Sequence, residues 1–314
     1  MERHAPEQTR RACAALDVLL QGVRTSTWPE VAWQFSELTP DGFPLELTFS
    51  SSPENAVRYA LEVAGPEVPE NQRLRTAFRL YRDLTGRSVS AAVERIMSTI
   101  QMAHELSYGA WFGGAHTEST DRYKIYAEVP QGACVEAFLP GVFTEGLPIA
   151  HCNTRPVMLG YQPDTNIREV YFRVSHLAAE DIGKLLWKHD LGHRYQETSE
   201  LIGSIARRPG ATAALAGFSL AFNGAPKAKA ISLFTEARFL LGSDANTRRH
   251  LLNTAQGNNW PFGAYEQITR AHQNREDKAG GQGVIAWIIS DDNPVELRVS
   301  VRPPEKLALT PDCD

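Results

Sequence analysis

The sequence is poor in the features that would assign it to several large classes at once. Its 314 residues include only four cysteines, Cys13, Cys134, Cys152 and Cys313, far apart and without a CxxC pair. That excludes a zinc ribbon and a disulfide framework, and makes a reducing cytoplasm the expected location. No window approaches eighteen apolar residues, which excludes a helical membrane span. The first twenty residues, MERHAPEQTRRACAALDVLL, carry charge through their first half and show no apolar stretch ahead of a small-residue cleavage site, so no signal peptide is expected. Positive charge is not in excess either: the formal net charge is -5, which argues against a general nucleic-acid binder but leaves room for a local cluster of cations around a small anion. Metal patterns are also missing. HDLGH, His189 to His193, has two histidines four apart but neither the glutamate of HExxH nor a third ligand, so no metal site is expected there and Gly192 should lie near a helix terminus.

What is present is a repeat. The stretch DRYKIYAEVP, Asp121 to Pro130, alternates with period two: Arg122, Lys124, Tyr126 and Glu128 fall on one face, Tyr123, Ile125, Ala127 and Val129 on the other. VRYALEV from Val57, REVYFRV from Arg168 and LRVSVRP from Leu297 align with it, so that Arg58, Lys124, Glu169 and Arg298 share one column and Ala60, Tyr126, Tyr171 and Ser300 the next. Each strand follows another extended run and a turn rich in Pro, Gly, Asn, Asp and Ser, which makes four hairpins. AGFSLAFNGAPKAKAISLF, Ala216 to Phe234, gives a fifth around an Asn-Gly turn, with Lys227 or Lys229 in the basic column depending on register. Between hairpins, segments such as ENQRLRTAFRLYRDLTG and AAEDIGKLLWKHDLGHRYQETSELIGSIARR have apolar residues three and four apart and read as helices.

The fold class that follows is α+β: a ten-stranded antiparallel β-barrel surrounded by helices, built of about five α-β-β-α units, and forming one domain over residues 1–314. A barrel of ten strands has no open edge and an interior wide enough for a ligand. Helices covering the outside require the apolar face to point outward, so the polar face of DRYKIYAEV faces the lumen. Arg58, Lys124, Arg298 and Lys229 would then crowd a partly desolvated space, which requires an anionic ligand or paired carboxylates. Tyr126 and Tyr171 among them offer hydroxyls to an anion and ring faces to a cation. An anion and a developing carbocation in one water-excluding cavity describe the ionisation of an allylic diphosphate.

The hairpin repeat, the KIY of the second unit and PLELTFSSSPENAVRYALEV resemble the aromatic prenyltransferases of the ABBA barrel family, in particular the dimethylallyltryptophan synthase type that prenylates indoles. The resemblance runs motif by motif over about Gly42 to Pro304. It implies that Glu46, in the first strand, accepts the indole N–H hydrogen bond and orients the ring. It implies further that Arg58 and Lys124 grip the diphosphate, joined by Lys229 and Arg298, while Tyr126 and Tyr171 shield the prenyl cation. The donor would be dimethylallyl diphosphate or a longer homologue. No cofactor is implied, and magnesium is not expected to be essential: the adjacent aspartates Asp291 and Asp292 sit in a turn, SDDNP, and not in a DDxxD pattern. The partners would be small molecules, with no nucleic acid or membrane, and the chain a monomer or weak dimer. Two departures stand out. Glu169 occupies a position usually basic, with Arg168 and Arg173 beside it, and Ser300 stands where a tyrosine is frequent. A phenolic or peptide acceptor, or a barrel that binds a small molecule without catalysis, are the competing readings. Arg122 and Glu128 share the polar face of the second unit without a comparable assignment.

Overall fold

A computed structural model describes residues 6–24, 36–40, 42–54, 56–102, 104–143, 149, 152–206 and 215–303. Cys313, and both ends of the expected 1–314 domain, lie outside these. Ten strands follow in order: β1 (Leu45–Ser50), β2 (Val57–Glu62), β3 (Ala110–His116), β4 (Asp121–Glu128), β5 (Arg155–Gln162), β6 (Ile167–Arg173), β7 (Gly217–Phe222), β8 (Ala230–Glu236), β9 (Gln282–Ser290) and β10 (Glu296–Val301). Every neighbour is antiparallel, and β1 pairs with both β2 and β10, so the sheet closes on itself. Closure satisfies the backbone groups that an open sheet would leave unpaired at its edges. The ten strands form the five hairpins expected from the repeat.

Around the barrel run helices α1 (Glu7–Leu19), α2 (Gln21–Arg24), α3 (Glu70–Thr85), α4 (Ala91–Met102), α5 (Ala179–Lys188), α6 (Tyr195–Ala206), α7 (Ala237–Leu241), α8 (Asp244–Gly257) and α9 (Gly263–Ile268). Between β4 and β5 the described residues form turns, with Cys152 in a 3-10 turn. α3 shows how sequence sets these elements. Pro69 precedes it with a preset φ, Glu70 opens the first turn where the helix dipole favours negative charge, and Gly86, at φ 68°, ends it in the left-handed conformation with its N–H on the Arg82 carbonyl. Leu74, Ala77, Phe78 and Tyr81 lie on one stripe, all buried, and the helix packs on β3 and β4.

The strands supply the other half of that core. Phe112 on β3, Ile125 and Ala127 on β4, Val170 and Phe172 on β6, and Leu297 and Val299 on β10 are all fully buried and share the outward phase. Burying each such large side chain contributes on the order of 1.5–3 kcal/mol, which is what fixes the strand phase: a slip of one residue would turn this whole set into the lumen. The polar residues of the alternate phase therefore have nowhere to go but inward.

Among the described residues, no helix is long and apolar enough to cross a membrane. The thiols of Cys13, Cys134 and Cys152 are free. HDLGH straddles the end of α5: His189 caps the helix and is buried, its Nδ1 accepting the Ala228 N–H at 3.1 Å, while His193 is exposed beside Asp291. The two histidines thus point to different surroundings, and no group of three potential metal ligands occurs among the described residues.

Candidate active site in the barrel lumen

The lumen encloses a cavity of about 1950 Å³, larger than the 300–1,000 Å³ typical of a single small-molecule site and so able to hold two reactants together. Arg58, Ala60, Lys124, Tyr126, Glu169, Tyr171, Arg298 and Ser300, the two columns of the repeat, all line it, and so does Glu46.

Glu46 projects from β1 and is buried, with 9% of its surface exposed. Its carboxylate accepts hydrogen bonds from the Ser300 hydroxyl and the Val284 amide. Burial outweighs these two bonds and pushes its pKa up to about 7 from an ordinary 4.5. The backbone there is close: a Cβ on Gly283 of β9 would stand 2.1 Å from Glu46 Oε1. Only glycine leaves that space, a requirement that the sequence reading missed because Gly283 belongs to a strand with no other site residue.

Around the lumen from Glu46 stands a second group. Lys124 Nζ donates to the Glu169 carboxylate and, at 2.9 Å, to the Tyr171 hydroxyl. It lies 5.1 Å from the centroid of the Tyr126 ring and 5.2 Å from that of Tyr171. The Ser219 hydroxyl, from β7, donates to the second oxygen of Glu169. Burial alone would lower the Lys124 pKa, but the Glu169 charge reverses this and holds it above its usual value; Glu169 is held below its own for the reciprocal reason. Burial, then the same carboxylate, pushes the Tyr171 phenol well above its ordinary range, so it remains a neutral donor. Gly160 of β5 makes this packing possible, since a Cβ there would lie 2.5 Å from Lys124 Cε.

Arg58 and Arg298 form a third group, on β2 and β10 with β1 between them. Arg298 forks onto Glu296 through Nε and Nη2, at 2.8 and 2.9 Å. Arg58 reaches Glu54 of the first hairpin turn at 2.7 Å. Burial, reinforced by the neighbouring Arg298 charge, lowers the Arg58 pKa. Two cations that repel each other across a desolvated space form a site for an anion.

Lys229 is not part of this lining. It precedes β8, its side chain is 52% exposed, and its ammonium lies 3.8 Å from Asp292 outside the cavity. The reason is phase. Lys229 alternates with Ile231 and Leu233, which are fully buried on the outward side, whereas Ala230, Ser232 and Phe234 face the lumen. Lys227 is equally exposed and pairs with Asp190, so neither register of the fourth hairpin brings a lysine inside. Arg168 is likewise directed away, its Nη1 donating to the Phe138 carbonyl, while Arg173 lines the lumen. Phe234 went unnoticed in the sequence. Its ring stands 6.2 Å from Tyr171, extending the aromatic wall of Tyr126 and Tyr171 across a third strand. Parity was the available signal, since Phe234 is two residues beyond Ser232.

Two further buried carboxylates are structural. Glu128 accepts the backbone N–H groups of Ser107, Tyr108 and Gly109, closing the turn into β3. Glu62 holds the Trp111 indole at 3.0 Å and Arg73 at 3.2 Å.

The ten-strand antiparallel barrel with helices outside matches known structures over nearly its whole length. The fold is that of the aromatic prenyltransferases. The prenyltransferase PriB, in a binary complex with product diphosphate, superposes on the ABBA barrel of this chain with a TM-score of 0.74 at 17% identity, over 94% of this chain and 92% of that one. The 5-dimethylallyltryptophan synthase of Streptomyces coelicolor gives 0.72 at 15% identity, over 94% and 95%. AnaPT of Neosartorya fischeri gives 0.61 at 14% identity, over 96% and 89%. At these identities the likeness is one of fold. No protein-family model and no curated protein matches the sequence.

Proposed function

We propose that the protein is an aromatic prenyltransferase that transfers a dimethylallyl group from dimethylallyl diphosphate to an indole, by alkylation of the aromatic ring. The observation that carries this reading is the placement of a buried carboxylate, three cations and three aromatic rings around one barrel cavity. The similar structures lend support, since among them are a synthase bound to a dimethylallyl diphosphate analogue with tryptophan and PriB bound to diphosphate.

In this reading Arg58, Lys124 and Arg298 receive the diphosphate. As the allylic C–O bond breaks, its electron pair passes to the diphosphate oxygen, where their donors meet the new charge. Tyr126, Tyr171 and Phe234 turn ring faces toward the cation and keep water from it. Glu46, ionised, accepts the indole N–H. It thereby orients the ring and raises its nucleophilicity as positive charge develops during C–C bond formation. The alkylated ring carbon then loses its proton to the released diphosphate, and aromaticity returns. The charge that a metal would bring to the leaving group comes from arginine and lysine. A barrel that only binds a ligand would gain nothing from a carboxylate placed opposite its cations, and a phenol would not need Glu46.

The test is direct. The purified protein is incubated with dimethylallyl diphosphate and a panel of tryptophan, other indoles, phenols and a Trp-containing peptide, with and without EDTA, and products are read by mass. Addition of one prenyl group to an indole, unaffected by EDTA, is expected. No mass shift on any acceptor refutes the transferase reading, and loss of activity in EDTA refutes the metal-free one.

A further inference from the structure

The cations of the anion site are not equally available. Arg58 pairs with a Glu54 side chain that is 49% exposed and free to swing into solvent at little cost. Glu169 is different. It is buried, it comes from the wall of the cavity itself, and the hydroxyls of Ser219 and Tyr171 hold it on Lys124 by two further hydrogen bonds. A carboxylate fixed by three donors cannot move aside without leaving those donors unsatisfied in a desolvated space. Its surroundings do not push it out either. Lys124 and Tyr126 face it from β4, Tyr171 lies beside it on β6, Ser219 faces it from β7, and Arg298 attracts it from β10.

We propose that Glu169 is a resident counter-ion that cancels the charge of Lys124 inside the donor site, so that it sets the enzyme's selectivity for the charge of the donor's leaving group. The proposal rests on the transferase reading. Its consequence is that the site does not reward each added negative charge as a set of unpaired cations would: a diphosphate gains most from Arg58, shares Arg298 with Glu296, and meets a like charge beside Lys124. Tight holding of the diphosphate product is thereby avoided, and the preference for diphosphate over a singly phosphorylated group is narrow. Glu169 does not touch the reacting carbon; it acts through Lys124.

Calorimetric titration with inorganic diphosphate and with inorganic phosphate tests this on the wild type, Glu169→Gln and Glu169→Asp. Each protein is first checked for a cooperative thermal transition. Glu169→Gln should bind diphosphate at least about tenfold more tightly, the effect of removing one like charge from contact, and should gain much less for phosphate. The donor KM should fall in parallel while kcat does not rise. Glu169→Asp keeps a counter-charge but draws it back by one methylene, and should tighten diphosphate a few-fold. Equal or weaker diphosphate binding by Glu169→Gln overturns the proposal. If removal of the counter-charge prevents that variant from folding, an Asp variant that binds no tighter than wild type overturns it equally. If the variants bind no tighter yet the wild type prenylates an indole, the counter-ion role alone has failed. Absence of both diphosphate binding and prenyl transfer in every protein removes the transferase reading with it.

Discussion

Glu46→Gln should make the protein more stable and nearly inactive. The carboxyl titrates at about 7 in the folded barrel and near its ordinary 4.5 in the unfolded chain. Below pH 4.5 it is protonated in both states and costs nothing. As pH rises from 4.5 through 7 the unfolded chain ionises first, so the folded state is increasingly disfavoured, reaching about 3 kcal/mol above pH 7. Glutamine escapes this because it has no charge to desolvate, and its side-chain oxygen still accepts from Ser300 and Val284. Urea denaturation of both proteins at pH 5 and pH 8.5 measures the effect. The stability difference should move in favour of the variant by up to about 3 kcal/mol between the two pH values. Over the same range wild-type kcat/KM for an indole should rise as pH passes through about 7, because only the ionised carboxylate accepts the N–H. The variant should lose roughly two to four orders of magnitude in rate, the range for a positioned acid-base group. A stability difference that does not change with pH, or a variant as active as wild type, would refute the burial argument and the acceptor role respectively.

Other substitutions probe the remaining groups. Arg58→Ala should raise the donor KM by about tenfold to a hundredfold, the worth of a charge-assisted hydrogen bond, in steady-state kinetics at varied donor, and it leaves only an exposed Glu54 behind. Gly160→Ala should drive its new methyl into Lys124 Cε, and initial rates at low donor should fall while Gly203→Ala, which has open space, serves as the benign comparison. Lys229→Ala should leave the rate within about twofold of wild type under the same assay, since its ammonium stands outside the lumen.

The sequence revealed the barrel because period two is a local signal repeated five times, and each hairpin brought its own turn residues. It placed Glu46, Arg58, Lys124, Tyr126, Tyr171 and Arg298 on the inner face for the same reason: the outward apolar partners, such as Ile125 beside Lys124 and Val299 beside Arg298, are unmistakable. Lys229 went wrong where that signal is weakest. In APKAKAIS small residues alternate with lysines ahead of the first large outward side chain, Ile231, so a one-residue error in phase carries no visible penalty. The pairing of Glu169 with Lys124, the second grip from Ser219 and the space left by Gly160 and Gly283 depend on which strands become neighbours. That information is spread over 124–219 in one case and 46–300 in the other.

The Glu46 pocket is assembled from opposite ends of the chain. Glu46 comes from the first strand, Ser300 from the last, and the Val284 amide and the Gly283 clearance from the strand before it. Each of the five hairpins can form from local sequence, since its two strands are separated by a short turn. The β1 and β10 seam joins residues about 250 apart, Ser50 with Arg298, and can close only after β10 has been made. The pocket around Glu46 therefore depends on the longest-range pairing in the barrel, and a lesion that loosens β10 should disturb it before it disturbs the cations of β2 and β4.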